Sequence, residues 1–544
     1  MNIKLLFLFF LTPFIFSQTI TEKLIVSMSN LTEVTGFGLE YNKKGGLYFY
    51  TLYDTTTKKT TIYDKNGKSK IFSSIFSYYA LYDDAGNNYM IANDNITDTT
   101  FTYYLLKNLE AVATFDYINE NWLMKDGVIY TAAKENNQTS LISYDTRTSS
   151  LSKGKSYDEI FFVDYPEEQY EGEPVGSLGF TADGKPYYVA SKNEKKFVVT
   201  GDSEGKTYSD IDFYIFTQDN KGDFVYIAKD EGKMYEQKGA FLVQGNKEYK
   251  KYDYVYGPVL FNKNNEPVYI TGDSSANTYP QRVMIGDKAM KLYSSGVYNL
   301  QFTPTGKLAY IATIAVNPTA DKYEAMTVID GKEGKKYRGV YDITFGKDDV
   351  PVYVASIQDD KQFVVVGDEE MEAGYTGISN LRMQDNGKII YVGTIYGNYE
   401  KKQRDKSFVH IGDEVYGPYE YMYTLDYATG AFVIFDSKGN FGFVDNHLID
   451  YAEYNYEATA YLNAKKLGTY DQIDNFKIFN GKAYFMAGKI ISRKTYASKY
   501  KLYENSKTLT GEYDYISGYE FDGKTGTISF VGQKGKDFYL VEYK

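Results

Sequence analysis

The chain has 544 residues, 43% hydrophobic and 24% charged, a balance that excludes an intrinsically disordered protein. Its formal net charge of −12 repels a phosphate backbone, so nucleic acid is excluded as an expected partner. The absence of Cys rules out thiolate catalysis, Cys-bound zinc and disulfide staples, while 59 Tyr against one Trp point to many half-buried strands.

Residues 1–17 read as an export signal. Lys4 supplies the positive start, Leu5–Phe16 the apolar run, and Ser17 a small residue before cleavage. No later stretch reaches the ~18 apolar residues of a membrane-spanning helix, so no transmembrane segment is expected in the mature chain. Next comes EKLIVSM (22–28), a strand with no partner in its own neighbourhood.

A dozen-residue pattern then recurs to the end of the chain. FTADGKPYY ending at Tyr188 and FTPTGKLAY ending at Tyr310 are its clearest copies. Others end at Phe49, Tyr89, Tyr130, Tyr226, Tyr269, Tyr353, Tyr391, Phe435, Tyr484 and Phe530. Each is a strand, a turn rich in Asp, Asn and Gly, and a second strand. A third strand comes after it, as in FVVTGD (197–202) and FVVVGD (363–368), then a fourth, as in KKYRGV (335–340). Four strands in about 40 residues is the period of a propeller blade. The sequence therefore predicts an all-β tandem β-propeller of about twelve four-stranded blades.

Twelve blades exceed the usual four to eight of one ring. Two rings of six are expected, with five plus seven as the rival. The Pro-containing acidic stretch 161–176 reads as a crossing between them. The last unit reads as one strand short, and residues 22–28 are placed to supply it. The expected organisation is a discontinuous outer propeller (18–160 and 424–544) closed by the N-terminal strand, with a six-bladed propeller (177–423) inserted. Residues 440–457, NFGFVDNHLIDYAEYNYE, read as a second interruption, an extra hairpin or a long loop.

The copies FTPTGKLAY and FTADGKPYYVAS resemble the F-S-P-D-G-K-x-I-A-F repeat of TolB-like and WD40-like (PD40) bacterial propellers. The resemblance covers essentially the whole mature chain. It implies the propeller fold, and it leaves function open, because these repeats serve scaffolds, peptidase accessory domains and glycan-active proteins alike. The Lys/Asn/Tyr-rich style and the FSQ signal end resemble exported proteins of the Bacteroidota.

The inventory for chemistry is thin. His410 lies in the strand FVHIGD with no neighbouring His or Cys, and reads as an ordinary strand residue. The Gly-Asp pairs at Asp202, Asp273, Asp287, Asp368 and Asp413 read mostly as hairpin turns, as do Asp183, Asp219, Asp385 and the stretch DDAGNN (83–88). On the expected innermost strands, just before the anchor position, stand Gly179, Leu260, Gln301, Thr344 and Arg382, with no recurring acid pair of the kind a glycosidase requires. No catalytic, cofactor-binding or metal-ligating residue is expected.

The two interruptions carry the expected partner contacts: Tyr165, Glu167, Glu168 and Tyr170 in the first, and Phe441, Phe443, His447, Tyr451, Tyr454 and Tyr456 in the second. Two further Tyr clusters, 249–258 and 416–427, read as packing between blades. The expected function is a non-catalytic cell-envelope scaffold that binds other proteins, among them an outer-membrane protein. If the lineage resemblance holds, an accessory or plug subunit of a type IX secretion translocon is one specific form of it. The periplasm is expected over release, since no sorting domain is evident after the last repeat. The alternative is a propeller that binds or cleaves polysaccharide through a Tyr-lined face.

Overall fold

The computed structural model describes residues 20–27, 34–42, 47–54, 57–64, 69–95, 100–161, 178–236, 238–274, 280–317, 322–358, 361–371, 374–384, 386–398, 403–422, 424–425, 431–450, 455–492, 497–516, 519–522 and 527–544. They form twelve antiparallel sheets in chain order, each pairing its strands 1-2-3-4. In four sheets the first strand is broken into two pieces on the same neighbour, which raises the strand count to five without changing the plan. The twelve four-stranded blades of a β-propeller are thus present as expected.

We number the blades 1 to 12, from Val34–Phe72 (blade 1) to Tyr515–Tyr543 (blade 12). By compactness the chain falls into two units. One comprises residues 1–32, 397–408 and 416–544, the other 33–396 and 409–415. From residue 162 on, the expected crossing at 161–176 lies outside the described residues.

The opening motif is a fixed piece of backbone. In FTADGKPYY, Gly184 N–H donates to Thr181 C=O (2.8 Å) and Thr181 N–H to Lys185 C=O (2.9 Å). FTPTGKLAY repeats both bonds, Gly306 to Thr303 and Thr303 to Lys307, at 2.8 Å each. Gly184 and Gly306 sit at φ of +83° and +89°, which a Cβ disfavours. The first hairpin turn therefore demands its Gly and needs no ligand.

The same bonds appear between Asp436 and Asn440, with Gly439 N–H on Asp436 C=O at 3.0 Å. They place the tenth copy at FDSKGNFGF, ending at Phe443 and not at Phe435. Phe435 closes the first strand, and Phe441–Asp450 and Asn455–Leu462 are the second and third strands of blade 10. The expected interruption at 440–457 is hence corrected: its described residues 441–450 and 455–457 belong to the second and third strands of an ordinary blade. The frame slipped because YATGAFVIF imitates a turn and strand at the wrong place.

Second strands are buried on both faces. Tyr89, Met90, Ile91 and Ala92 are all at most 1% exposed, as a strand flanked by two other blades requires. Successive blades share apolar clusters. Val268, Val283, Leu300, Tyr310 and Met326 join blades 6 and 7, and Ile311, Val340, Tyr353 and Val365 join blades 7 and 8.

A Lys-x-Tyr pair at the end of a blade fastens these interfaces. The Tyr208 hydroxyl donates to Glu248 of the next blade at 2.8 Å, and Lys206 Nζ reaches the same oxygen at 2.5 Å. Lys291 and Tyr293 hold Glu333 (2.6 and 3.1 Å), and Lys335 and Tyr337 hold Glu370 (2.5 and 3.0 Å). Lys155 and Tyr157 hold Glu204 more loosely, at 3.4 and 3.2 Å. Each ring also meets the second-strand Tyr of the next blade edge-on, as Tyr293 does Tyr310 at 6.1 Å. The lysines hold Glu248, Glu333 and Glu370 below the ordinary carboxylate range, with the hydroxyls adding to the effect. The four clasps and their edge-on partners give a structural role to eight of the 59 Tyr.

Blade 12 is completed from the far end of the chain. Ile20–Ser27 pairs antiparallel with Asp537–Tyr543, with Glu22 opposite Val541. Glu22 takes the place of the clasp glutamate, accepting from the Tyr513 hydroxyl at 2.5 Å and from Lys534 Nζ at 2.6 Å.

Candidate functional site

A cleft of about 480 Å³ opens at one end of blade 10, lined by Arg404, Asp405, Glu420, Tyr421, Asn446, Leu448 and Tyr456, all in the same compact unit. Strand register builds its wall. Tyr421 lies opposite Asn446, and Tyr456 opposite Leu448, so these four alternate residues share one face of the sheet. Tyr421 is 57% exposed and Tyr456 40%, two aromatic rings open to solvent in one cleft.

Charged groups brace the rim. Arg404 Nη1 contacts Glu420 Oε1 at 2.5 Å, and His447 Nδ1 lies 2.7 Å from the same oxygen. Arg404 Nη1 is 3.1 Å from His447 Nε2. The His447 ring thus sits against both the carboxylate and the guanidinium. Glu420 Oε2 accepts Leu448 N–H at 3.2 Å, which ties the rim to the wall. Beneath, buried Asp445 accepts the N–H groups of Glu420 and Tyr421 at 2.9 and 3.1 Å. Burial raises its pKa, against those two bonds. Asp445 fixes the first strand's broken end, which is what aims Tyr421 outward.

The predicted contact residues divide. Tyr456 lines the cleft, and His447 braces its rim through Glu420. Phe441 and Phe443 are 7% and 0% exposed and offer a partner no surface. Phe443 stacks on Tyr461 at 4.9 Å and meets Tyr419 edge-on at 4.7 Å, so both Phe are blade packing. Their assignment to a contact came from the misplaced frame of blade 10. Tyr165, Glu167, Glu168, Tyr170, Tyr451 and Tyr454 lie outside the described residues.

Arg404 and Asp405 carried no sequence signal, and Glu420, Asn446 and Leu448 lay in stretches singled out without being chosen themselves, because nothing in linear order announces a cleft assembled from three strands and a preceding loop. Tyr421 was visible within the cluster 416–427, which read as packing. The cluster splits instead: Tyr416 packs on Phe441 at 5.4 Å and Tyr419 on Phe443, whereas Tyr421 faces out.

Other candidates resolve into architecture. His410 stacks on Tyr391 at 4.1 Å, its Nε2 lies 2.7 Å from the Tyr375 hydroxyl, and burial pushes its pKa down to about 4. Asp219 accepts the N–H groups of Lys221 and Asp223 (2.8 and 2.9 Å) and two amides, from Gln244 and Asn265, so it is a turn and a brace. Asp83 likewise caps its own turn through Asn87. In the cluster 249–258, Tyr249 packs on Tyr269 at 6.1 Å and Tyr254 on Tyr256 at 5.7 Å. Among the described residues no group of three or more His, Asp or Glu is placed to hold a metal ion, and no helix is long and apolar enough to cross a membrane.

No family model matches the chain, and no curated protein does. Solved structures do. A eukaryotic initiation factor is 8% identical over 82% of this chain and 98% of its own, with a TM-score of 0.30. TolB from Acinetobacter baumannii is 13% identical over 55% of this chain and 77% of its own, at 0.21. PorZ, a surface component of the type-IX secretion system of Porphyromonas gingivalis, is 10% identical over 94% of this chain and 80% of its own, at 0.17. At such scores these likenesses carry no argument about function, and the fold rests on the strand pairing itself.

Proposed function

We propose that the chain is a non-catalytic propeller scaffold of the cell envelope that docks a protein partner at the cleft of blade 10. One observation carries the reading: Tyr421 and Tyr456 stand exposed in the lining of one cleft, beside a braced Arg404–Glu420–His447 rim. Aromatic anchors with a neighbouring Arg, held on a rigid wall, are the composition of protein-binding hot spots. Supporting it, the clasp glutamates and His410 are engaged in holding blades together.

The signal-like N-terminus and the resemblance to exported Bacteroidota proteins favour a partner at the outer membrane. A type IX secretion translocon is the specific assembly we propose. The test is a pull-down from solubilised outer membranes with the full chain and with Tyr421→Ala/Tyr456→Ala. Recovery of one stoichiometric partner by the first and its loss by the second is expected. Equal recovery by both, or free monomer from both, contradicts the reading.

A second reading rests on a different observation. The side-chain polar groups of Tyr421, Asn446 and Tyr456 make no hydrogen bond with any described residue, and rings with free polar tips suit a saccharide as well as a peptide. Binding to a polysaccharide panel that the double variant loses would favour it.

A further inference from the structure

We propose that the N-terminal strand Ile20–Ser27 is exchangeable, and that the edge of blade 12 accepts this same strand from a second copy of the chain. This goes beyond the docking at blade 10.

Three observations carry it. First, the described side chains of Ile20–Ser27 (residues 20–24 and Ser27) are all exposed, outside the buried cluster that joins blades 11 and 12. That cluster is built from Tyr484, Leu502, Tyr513, Phe530, Val541 and their neighbours, while Ile20 and Leu24 are 42% and 51% exposed. Second, its tether is unlike that of other outer strands. The fourth strands of blades 4 to 8 are two-residue pieces such as Ser203–Glu204 and Lys332–Glu333, each joined to its third strand by a tight turn. The eight-residue N-terminal strand instead leads through residues 28–33 into Val34–Asn42, the first strand of the other compact unit. Nothing covalent ties it to Asp537–Tyr543. Third, it carries its own address. Glu22 enters the clasp of Tyr513 and Lys534, so an arriving strand is registered by a charge-assisted pair as well as by backbone bonds.

A vacated Asp537–Tyr543 edge presents a row of unpaired N–H and C=O groups, which an extended segment completes. When two copies trade strands, every contact of the closed monomer is remade in the dimer. Protein concentration and the reach of residues 28–33 then set the balance.

Charge reversal tests this on the full-length chain. Glu22→Lys and Lys534→Glu each place like charges across the clasp. After exchange in a mixture, the two introduced charges meet as an opposite pair at one clasp, and native Glu22 meets native Lys534 at the other. Light scattering after chromatography should show each variant alone as a monomer and the equimolar mixture with a dimer. A mixture as monomeric as its components overturns the proposal. Should a variant fail to fold, wild-type chain with a labelled peptide of residues 20–27 decides. Saturable binding that weakens about fivefold with Glu22→Lys in the peptide supports the proposal. No binding, or equal binding of both peptides, overturns it.

Discussion

Tyr293 and Tyr421 are the same residue in two trades. Tyr293 is 1% exposed, edge-on to Tyr310, with its hydroxyl on a glutamate of the next blade. Tyr421 is 57% exposed, and its hydroxyl makes no hydrogen bond with any described residue. The neighbouring elements separate them. Tyr293 ends a blade whose successor brings Glu333 to it, while Tyr421 sits on a broken first strand that Asp445 turns outward. In a chain with 59 Tyr, composition alone cannot tell fastener from anchor; the hydroxyl's partner can.

On that division, stability should collapse on one side and hardly change on the other. Tyr293→Ala removes a buried ring and the clasp bond, and should cost about 3–5 kcal/mol in denaturant unfolding. Acid comes next. The folded state holds His410 near a pKa of about 4 against an ordinary 6.5, so the unfolded chain takes up its proton first. That part of the stability is full above pH 6.5 and is lost as pH falls toward 4. His410→Gln should flatten the slope in that window. The clasp glutamates, depressed by their lysines, add a second loss only below their ordinary 4.5. Tyr293→Phe keeps the ring, leaves Glu333 on Lys291, and should cost about 1 kcal/mol. Tyr421→Ala and Tyr456→Ala, on the other side, should each fall within about 0.5 kcal/mol of the parent.

Much of the fold was legible because a blade repeats its own grammar. Phe180 to Tyr188 and Phe302 to Tyr310 share turn bonds as well as residue types. The misreading at Phe435 shows the limit: where Gly and aromatics are common, a false copy can precede the true one at Asp436–Phe443. The cleft was half legible. His447 and Tyr456 stood out only because that false copy made their strands look like an insertion. Arg404, in the loop before a strand, and Glu420, at the bend between two strands, meet Leu448 only in the folded chain, which no single stretch of sequence displays. The clasp glutamates also escaped notice, since Glu248 and Glu333 look like ordinary turn residues until the preceding blade's Lys-x-Tyr reaches them.

The central claim is that exposed tyrosines of blade 10 bind and buried ones build. The most direct measurement pairs affinity with stability on Tyr421→Ala/Tyr456→Ala, using the partner recovered from outer membranes. Lost retention of that partner, with an unfolding midpoint matching the parent's, is the predicted result. Undiminished retention, or a loss that tracks an unfolded protein, would contradict it.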